Sequence, residues 1–266
     1  MTAPDATPET FLRVLEFQRR SIELCAEEVH EIEEGWVVRT PALPEVWSLN
    51  HLRLVTEVTP DRTIELCQAH LGGTGFHHVI VEHEAAALRL GQALPRAGWE
   101  VDVELHSVLA HDPDRDTDTS LVVEPEEEEA LGLVRRWLAE DETLHLDREG
   151  LRQVVESDRL TWRARQARRL GVREPDGRLV GLTLVFSDGP VAQVETVYVI
   201  PEARGRGYAR ALVTRAAGLA RGEHELTFIV ADDNDWPKEL YARLGFDPVG
   251  RTWLLHHPLN RGKGGQ

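Results

Sequence analysis

A glycine-containing turn between a strand and a helix is the part of this sequence whose residue types best suit chemistry. Residues 194–200 have the β-branched and aromatic enrichment of a strand, and Pro201 ends that pattern. The turn is Arg-Gly-Arg-Gly-Tyr-Ala at 204–209, and a helix rich in Ala, Leu and Val follows it. The first N–H groups of a helix lack intrahelical acceptors and carry partial positive charge, so they can bind an anion. Gly205 and Gly207, which have no Cβ atom, would let a pyrophosphate approach the backbone.

The glycine pair alone leaves two interpretations open, a phosphate-binding turn and an ordinary strand-to-helix turn. The Gly-Lys-Ser/Thr ending of a P-loop is missing, and the glycine spacing differs from the Rossmann fingerprint. The string Arg204-x-x-Gly207-x-Ala209 resembles instead the acetyl-CoA pyrophosphate loop, Gln/Arg-x-x-Gly-x-Gly/Ala, of the GNAT superfamily of N-acetyltransferases. The resemblance implies acetyl-CoA as cosubstrate, held by Arg204, Gly205, Arg206, Gly207, Tyr208, Ala209 and Arg210.

The resemblance continues for about forty residues beyond the loop. In the family this region has the pattern Asn-x-x-Ala-x-x-Phe/Leu-Tyr-x-x-x-Gly-Phe. The matching places are held here by Asn234, Leu240, Tyr241, Gly245 and Phe246. Pro237 stands where the family usually has a small residue, and proline suits the first turn of a helix. The resemblance implies that Asn234 contacts the cofactor arm, while an amide that only caps a loop is the alternative.

Acyl transfer from a thioester to an amine requires a deprotonated amine and a proton for the departing thiolate. Glu195 lies six residues before Pro201, where many GNAT members place their general base, and Tyr241 matches the tyrosine that serves as general acid. A phenol with an ordinary pKa of about 10 is protonated at neutral pH, so it can donate to a thiolate. The sequence leaves open that Glu195 is a solvent-facing strand residue and that Tyr241 only packs.

The element order predicts a mixed fold of the α/β type, an α+β mixed sheet. The amphipathic pattern of Phe11 to Glu33 predicts a single or broken helix near the start of the chain. From residue 124 onward the pattern predicts two helices, the second from Asp147 to Val155, and three strands, of which the first two form a hairpin at Pro175-Asp176-Gly177. The glycine loop follows, and then a helix, a strand, a helix from Asn234 to Phe246 and a last strand. That is the order of the GNAT fold, in which the sheet is splayed at the cofactor loop. The resemblance implies that the pantetheine arm lies in this splay and pairs with the backbone of Val197, Tyr198 and Val199.

Two segments of the chain repeat one pattern. Residues 77–113 and 226–258 each predict a strand, an acidic turn, a helix ending near Gly-aromatic, and another strand. We therefore predict two GNAT-like lobes in tandem: a degenerate N-terminal lobe at 1–111, an acidic linker at 112–123 and a catalytic domain at 124–260. The first lobe is expected to bind no CoA, because its equivalent turn, Thr-Glu-Val-Thr-Pro-Asp at 56–61, has neither glycine nor arginine.

The composition limits the classes of partner. A formal net charge of −16 and the lack of a basic stripe argue against nucleic acid, and the same charge favours a neutral or cationic amine acceptor over an acidic one. No apolar run approaches the ~20 residues of a membrane helix, and no signal sequence is present, so we expect a cytoplasmic protein without a membrane partner. Cys25 and Cys67 are too few for a disulfide framework, and the histidines match no zinc pattern, so no metal is expected.

The sequence thus predicts an acetyl-CoA-dependent N-acetyltransferase that acts on a primary amine of a small molecule or peptide by direct attack. Glu195 is the predicted base and Tyr241 the predicted acid. The alternative is a non-catalytic acyl-CoA-binding or interaction module, and the presence of both residues together with Asn234 favours the enzyme. The identity of the acceptor is not encoded in any motif, and a homodimer is left open.

Overall fold

The computed structural model of the protein describes residues 8–112, 116–141 and 146–259. In chain order its helices and strands are α1 (Pro8–Glu23), β1 (Glu28–Ile32), β2 (Gly35–Arg39), β3 (His51–Leu54), α2 (Pro60–His70), β4 (Phe76–Val81), α3 (Glu84–Ala93), β5 (Glu100–Leu109), β6 (Val122–Val123), α4 (Glu127–Glu140), α5 (Arg148–Ala164), β7 (Arg168–Arg173), β8 (Leu179–Ser187), β9 (Val191–Val199), α6 (Tyr208–Glu223), β10 (Leu226–Asp232), α7 (Pro237–Arg243) and β11 (Phe246–Pro258). In these described ranges, no helix is long and apolar enough to cross a bilayer.

The chain divides into two compact units. Unit 1 comprises the described residues of 8–21, 105–231 and 235–250, and unit 2 comprises those of 22–104, 232–234 and 251–259. Strands β5 and β11 therefore each contribute residues to both units.

Unit 1 is built on a mixed sheet with the strand order β11-β5-β10-β9-β8-β7-β6. Its pairs β6–β7, β7–β8 and β8–β9 are antiparallel, and β9–β10 is parallel. The β7–β8 hairpin turns at the sequence Pro-Asp-Gly, as predicted, with the Gly177 N–H donating to the Glu174 carbonyl at 2.9 Å. Helix α1 packs into the apolar core, where the Phe17 ring meets the Phe228 ring edge-on at 5.3 Å between centroids.

Unit 2 has its own core and repeats the pattern of unit 1. Its pairs β1–β2 and β2–β3 are antiparallel, β3–β4 is parallel and β4–β11 is antiparallel. The order of three antiparallel strands, helix, parallel strand and helix in β1 to α3 matches that of β7 to α7. The fold is thus a mixed α/β arrangement with two tandem repeats, as the sequence predicted.

The compact units interleave along the chain, whereas the predicted domains are consecutive segments. Helix α1, which lies in the predicted first lobe, belongs to unit 1, and residues 251–258 of β11, in the predicted second lobe, belong to unit 2. The boundaries 1–111, 112–123 and 124–260 divide the chain by its sequence repeat and stay a prediction. Residues 113–115 of the linker and residue 260 lie outside the described residues.

Two predicted helices are longer than those in the structure. The helix predicted from Phe11 to Glu33 ends at Glu23, and part of the remainder forms β1. The helix predicted from Asn234 begins only at Pro237. Proline lacks the N–H that later helical positions donate, so Pro237 starts a helix more readily than it continues one, although the backbone of Trp236 before it already has helical angles.

Unit 2 buries three histidines among its described residues, His51, His77 and His78, and the first and third are the most deeply buried. His51 is 0% exposed and His78 is 3% exposed, and their rings meet edge-on at 6.1 Å between centroids. Loss of hydration, and to a lesser degree the neighbouring Arg53 charge, lower the pKa of His51 to about 3. Loss of hydration also lowers the pKa of His78 well below its ordinary value. Both side chains are therefore neutral in the folded protein near neutral pH.

We predict that mild acid destabilises the protein through these histidines. Below about pH 6.5 these histidines bind protons in the unfolded chain but not in the folded protein. The stability that is present above that pH is therefore lost as the pH falls towards the lower pKa values of the folded protein. Each buried histidine should cost about 2 kcal/mol at about pH 5. Urea unfolding of the wild type and His51→Gln at about pH 7.5 and about pH 5 measures the loss, which should be smaller in the variant.

The exposed His30 provides the matched control, because its side chain is 64% exposed. His30→Gln should keep the pH dependence of the wild type. If His51→Gln keeps it too, burial of His51 is not the cause of the acid sensitivity.

Candidate active site

The parallel pair β9–β10 opens where the predicted site residues lie. The ladder ends at the pair Val194–Ile229, while β9 continues through five more residues to Val199. After Val194, the edge of β9 that faces β10 is no longer paired with β10 in this ladder. The backbone of Val197, Tyr198 and Val199, to which the family resemblance assigns the pantetheine arm, lies on this opened part of the strand.

A β-bulge in β9 directs two of the predicted residues to one face of the sheet. Leu184 on β8 lies opposite Glu195, and Leu182 lies opposite Tyr198, so two steps along β8 match three along β9. Thr196 lies between Glu195 and Tyr198, on the strand that has the extra residue, and its φ is positive, 54°. Residues three apart in a regular strand point to opposite faces, so the bulge is what places Glu195 and Tyr198 on the same face.

Helix α4 covers that face beside Tyr198. The Tyr198 hydroxyl donates to Glu140 Oε2 at 2.8 Å, and its ring lies 6.2 Å from the Trp137 ring between centroids. Burial, and then the Glu140 carboxylate, raise the pKa of Tyr198 to about 12. The side chain of Tyr198 is thus a neutral anchor to α4, and only its backbone is available for the predicted role.

Glu195 is partly buried and lies in a polar chain that ends on α5. Gln193 Nε2 donates to Glu195 Oε2, and Arg165 Nη2 donates to Gln193 Oε1 at 3.4 Å. Loss of hydration raises the pKa of Glu195, and the Arg165 charge and the Thr196 backbone N–H act in the opposite direction. Because a carboxylate with a raised pKa is a stronger base than a solvated glutamate, its environment suits the predicted role.

Asp158 on α5 is a second carboxyl at this site, and the sequence analysis missed it. Loss of hydration, and then the charge of Glu195, raise the pKa of Asp158 to about 7. The predicted second helix ended at Val155, whereas α5 continues to Ala164. The signal that could have extended it is the apolar spacing that continues to Trp162, which is 2% exposed.

Tyr241 lies on α7 and is 7% exposed. Burial raises the pKa of its phenol above the ordinary value, and the charges of Glu195 and Asp235 raise it further. Its ring meets Phe246 at 6.4 Å between centroids. Tyr241 therefore stays protonated at neutral pH and lies close enough to Glu195 to respond to its charge, which brings the two predicted catalytic residues together in unit 1.

The glycine loop has an unusual backbone conformation. Gly205 and Gly207 have φ of 75° and 82°, in the left-handed region that residues with a Cβ atom seldom adopt. A Cβ atom at either position would meet no atom within 4 Å, so the loop is open beside both. Gly207 is the residue that precedes α6, and it supplies no side-chain cap to the helix.

The arginine side chains of the loop hold the loop itself. Arg204 Nε donates to the Val199 carbonyl at 3.0 Å, which ties the loop to the end of β9. Arg206 Nη1 and the Tyr208 hydroxyl both donate to Glu174 Oε1, at 2.6 and 3.1 Å. Ala209 packs against the core of unit 1, while Arg210 lies in the first turn of α6. Arg204, Arg206 and Tyr208 are therefore engaged within the protein, and the donors predicted for an anion are backbone groups.

Asn234 has a different setting from the other predicted residues. It is exposed, it belongs to the segment 232–234 of unit 2, and its backbone N–H donates to Asp232 Oδ1 at 2.7 Å. Its role towards a cofactor stays a prediction. In the part of the chain that the structure describes, no group of three or more His, Cys, Asp or Glu is arranged to hold a metal ion.

Comparison with known proteins agrees with this geometry. Residues 131–246 match the model of the acetyltransferase (GNAT) family and thus form a GNAT acetyltransferase domain, which contains the glycine loop, Glu195, Asp158 and Tyr241.

Solved structures resemble the chain beyond that domain. A conserved protein of unknown function from Staphylococcus epidermidis has a TM-score of 0.68 and 14% identity over 90% of this chain and 97% of its own. A GCN5-related N-acetyltransferase from Kribbella flavida has a TM-score of 0.59 and 16% identity over 97% of both chains. A tandem GNAT protein from the clavulanic acid biosynthesis pathway has a TM-score of 0.51 and 15% identity over 77% of this chain and 69% of its own. These likenesses show a shared fold.

The bulge in β9 leads to a prediction about Thr196. A β-branched residue with positive φ is strained, whereas glycine adopts that conformation freely, so Thr196→Gly should raise the free energy of unfolding by about 1 kcal/mol. Thr227→Gly, at a buried position of β10 without positive φ, should instead lower it by at least about 1 kcal/mol. Chemical denaturation of both variants checks this, and equal destabilisation by the two would contradict the strain at Thr196.

Proposed function

We propose that the protein is an acetyl-CoA-dependent N-acetyltransferase that acetylates a primary amine of a small molecule or peptide. The observation that carries the proposal is the grouping of Glu195 and Tyr241, each with a raised pKa, beside the opened edge of β9 in a GNAT domain. A base and an acid of this kind are what aminolysis of a thioester requires.

The open loop and the opened strand suit the two ends of the cosubstrate. The amides after Arg204, with the left-handed Gly205 and Gly207 among them, offer donors and space for a pyrophosphate. The part of β9 at 197–199 that is no longer paired with β10 offers backbone groups to the amide-containing pantetheine arm, as a further strand would pair with them, although the Val199 carbonyl already accepts from Arg204 Nε. In this arrangement the thioester lies at the parted strands, next to Glu195.

The reaction then needs two proton transfers. Glu195 accepts a proton from the acceptor amine, directly or through one water, and the nitrogen attacks the thioester carbonyl. The C–N bond forms, the C–S bond breaks, and the Tyr241 hydroxyl donates its proton to the departing thiolate. The raised pKa values suit both steps, because they make Glu195 a stronger base and keep Tyr241 protonated.

We further infer that unit 2 binds no CoA, because its equivalent strand edge and helix N-terminus already have partners within the protein. The β3–β4 ladder runs to the pair Leu54–Val81 at the end of both strands, and the Glu82 N–H donates to the Leu54 carbonyl at 2.9 Å. The Thr59 side chain accepts from the Arg62 N–H at 3.3 Å and so caps α2, whose first residue, a proline, has no N–H. Neither a parted strand nor an uncapped helix remains there for the cosubstrate.

Replacement of Tyr241 by phenylalanine tests the acid. Tyr241→Phe keeps the ring that packs near Phe246 and removes the hydroxyl, so kcat should fall by ~10²–10⁴ while CoA affinity stays unchanged. Thiol release from acetyl-CoA with a panel of primary amines measures kcat. A fall below about threefold would remove Tyr241 as the acid, and CoA binding without turnover by the wild type would favour the binding module.

Replacement of Gly207 tests the loop. Gly207→Val places a β-branched side chain at φ 82°, so the loop must shift, and CoA binding should weaken about tenfold or more. Gly218→Ala on α6 is the matched control, since a Cβ atom there also meets nothing within 4 Å but the backbone is helical. Calorimetry with CoA checks both variants, and equal affinities would exclude the loop as the binding site.

A further inference from the structure

The candidate site contains one carboxyl more than the proposed mechanism uses. Asp158 projects from α5 on the same side of the sheet as Glu195, and among the described residues Glu195 is the charged group that acts on it. No sequence motif marks Asp158, and the proposed mechanism, with Glu195 as base and Tyr241 as acid, assigns it no role.

The geometry of α5 places Asp158 next to Glu195. Arg165 follows the last residue of α5, and Asp158 lies seven residues before it, which is two helical turns or about 10 Å along the axis. The Arg165 guanidinium lies 3.7 Å from the Phe186 ring centroid and contacts Gln193 on β9. The chain turns back between α5 and β7, and β7 runs parallel to β9 because both pair antiparallel with β8. The direction from Arg165 back to Asp158 is therefore the direction in which β9 runs from Gln193 to Glu195, a step of about 7 Å.

The charges that face this pair come from three elements. Arg165 on α5 is the cation that acts on Glu195, Tyr241 on α7 is neutral, and Asp235 before α7 acts on Tyr241. Glu140 on α4 is engaged by Tyr198 and by Arg136. When both carboxyls are ionised, the site therefore has one negative charge that the described cations facing it do not balance.

We propose that Asp158 and Glu195 together form the acceptor-recognition site, and that the acceptor enters it as a primary ammonium held between the two carboxyls. The proposal rests on the transferase function and narrows it to cationic amines. A neutral hydroxyl compound or an acidic substrate could not supply the missing positive charge, and its burial beside two carboxylates would be unfavourable.

The pair also serves the chemistry of an ammonium. An ammonium ion cannot attack until it loses a proton, and two neighbouring carboxyls with raised pKa values accept that proton more readily than a solvated carboxylate does. The ammonium gives one proton to the carboxyl pair, and the nitrogen then attacks the thioester carbonyl. As the C–N bond forms and the C–S bond breaks, Tyr241 protonates the thiolate, and the second proton that leaves the nitrogen restores the Tyr241 hydroxyl. The sum is ammonium and acetyl-CoA going to amide, CoA thiol and one proton, which leaves from the carboxyl pair after Tyr241 is reprotonated.

The first test needs no turnover. Carbon-13 NMR of the full chain, labelled at the Asp and Glu carboxyls, should show a group that titrates at about pH 7 and is missing from Asp158→Asn. Hexylammonium should lower this midpoint by at least about half a unit, whereas hexanol of the same length should not shift it. A midpoint that ignores hexylammonium, or a titration that persists in Asp158→Asn, would overturn the proposal.

The second test uses kinetics with hexylamine and other primary amines. Asp158→Asn should raise the amine KM about tenfold or more and move the acidic limb of kcat/KM to lower pH, because Glu195 loses a like-charged neighbour. Its CoA affinity should not change, and Asp158→Glu should restore part of the loss. Glu156→Gln on the same helix, whose side chain is 42% exposed, is the matched control and should behave as the wild type does.

The two tests separate the proposal from the function on which it rests. If no primary amine is acetylated although the NMR midpoint responds to hexylammonium, the transferase function fails and the ammonium site stands. If amines are acetylated but Asp158→Asn changes neither KM nor the pH profile, the function stands and the role of Asp158 is wrong.

Discussion

The parting of β9 from β10 after Val194 is the constraint on which the candidate site depends. Backbone N–H and C=O groups of a strand need partners, and a ladder that ends while its strand continues leaves some of them to a ligand. The bulge at Thr196 lies within this parted stretch and turns Glu195 and Tyr198 to the face covered by α4 and α5. One local departure from regular pairing thus makes the proposed place for the cosubstrate and orients the proposed base.

The two units share one order of helices and strands but differ where the parallel ladder ends and the next helix begins. In unit 2 the parallel ladder continues to the end of its strand, the following helix is capped by Thr59, and Arg53 forms an ion pair with Glu82 after β4. In unit 1 the ladder stops early, and a glycine without a side chain precedes the helix. In unit 2 the end of the strand and the start of the helix are satisfied by contacts within the protein, whereas the parallel ladder of unit 1 ends early, which agrees with the proposed division into a structural and a functional repeat.

Burial controls ionisation in both units, with opposite consequences. His51 and His78 of unit 2 stay neutral because burial removes their hydration, and they are expected to make the fold sensitive to acid. Burial raises the pKa of Asp158 in unit 1 to about 7 and also raises the pKa of Glu195, where the Arg165 charge opposes the rise. Partial burial beside a compensating charge is the condition under which a carboxyl becomes a useful base.

The sequence by itself determined the features that depend on neighbours in the chain. The left-handed glycines, the strand and helix flanking them, the Pro-Asp-Gly hairpin and the matches of Glu195 and Tyr241 follow from local conformational preference and motif spacing. Only the tertiary structure decided where the β9–β10 ladder ends, that Thr196 forms a bulge, that α5 brings Asp158 to Glu195, and that the compact units interleave. These features depend on hydrogen bonds, burial and charge between residues far apart in the chain, and no local pattern of side chains encodes which distant partners will meet.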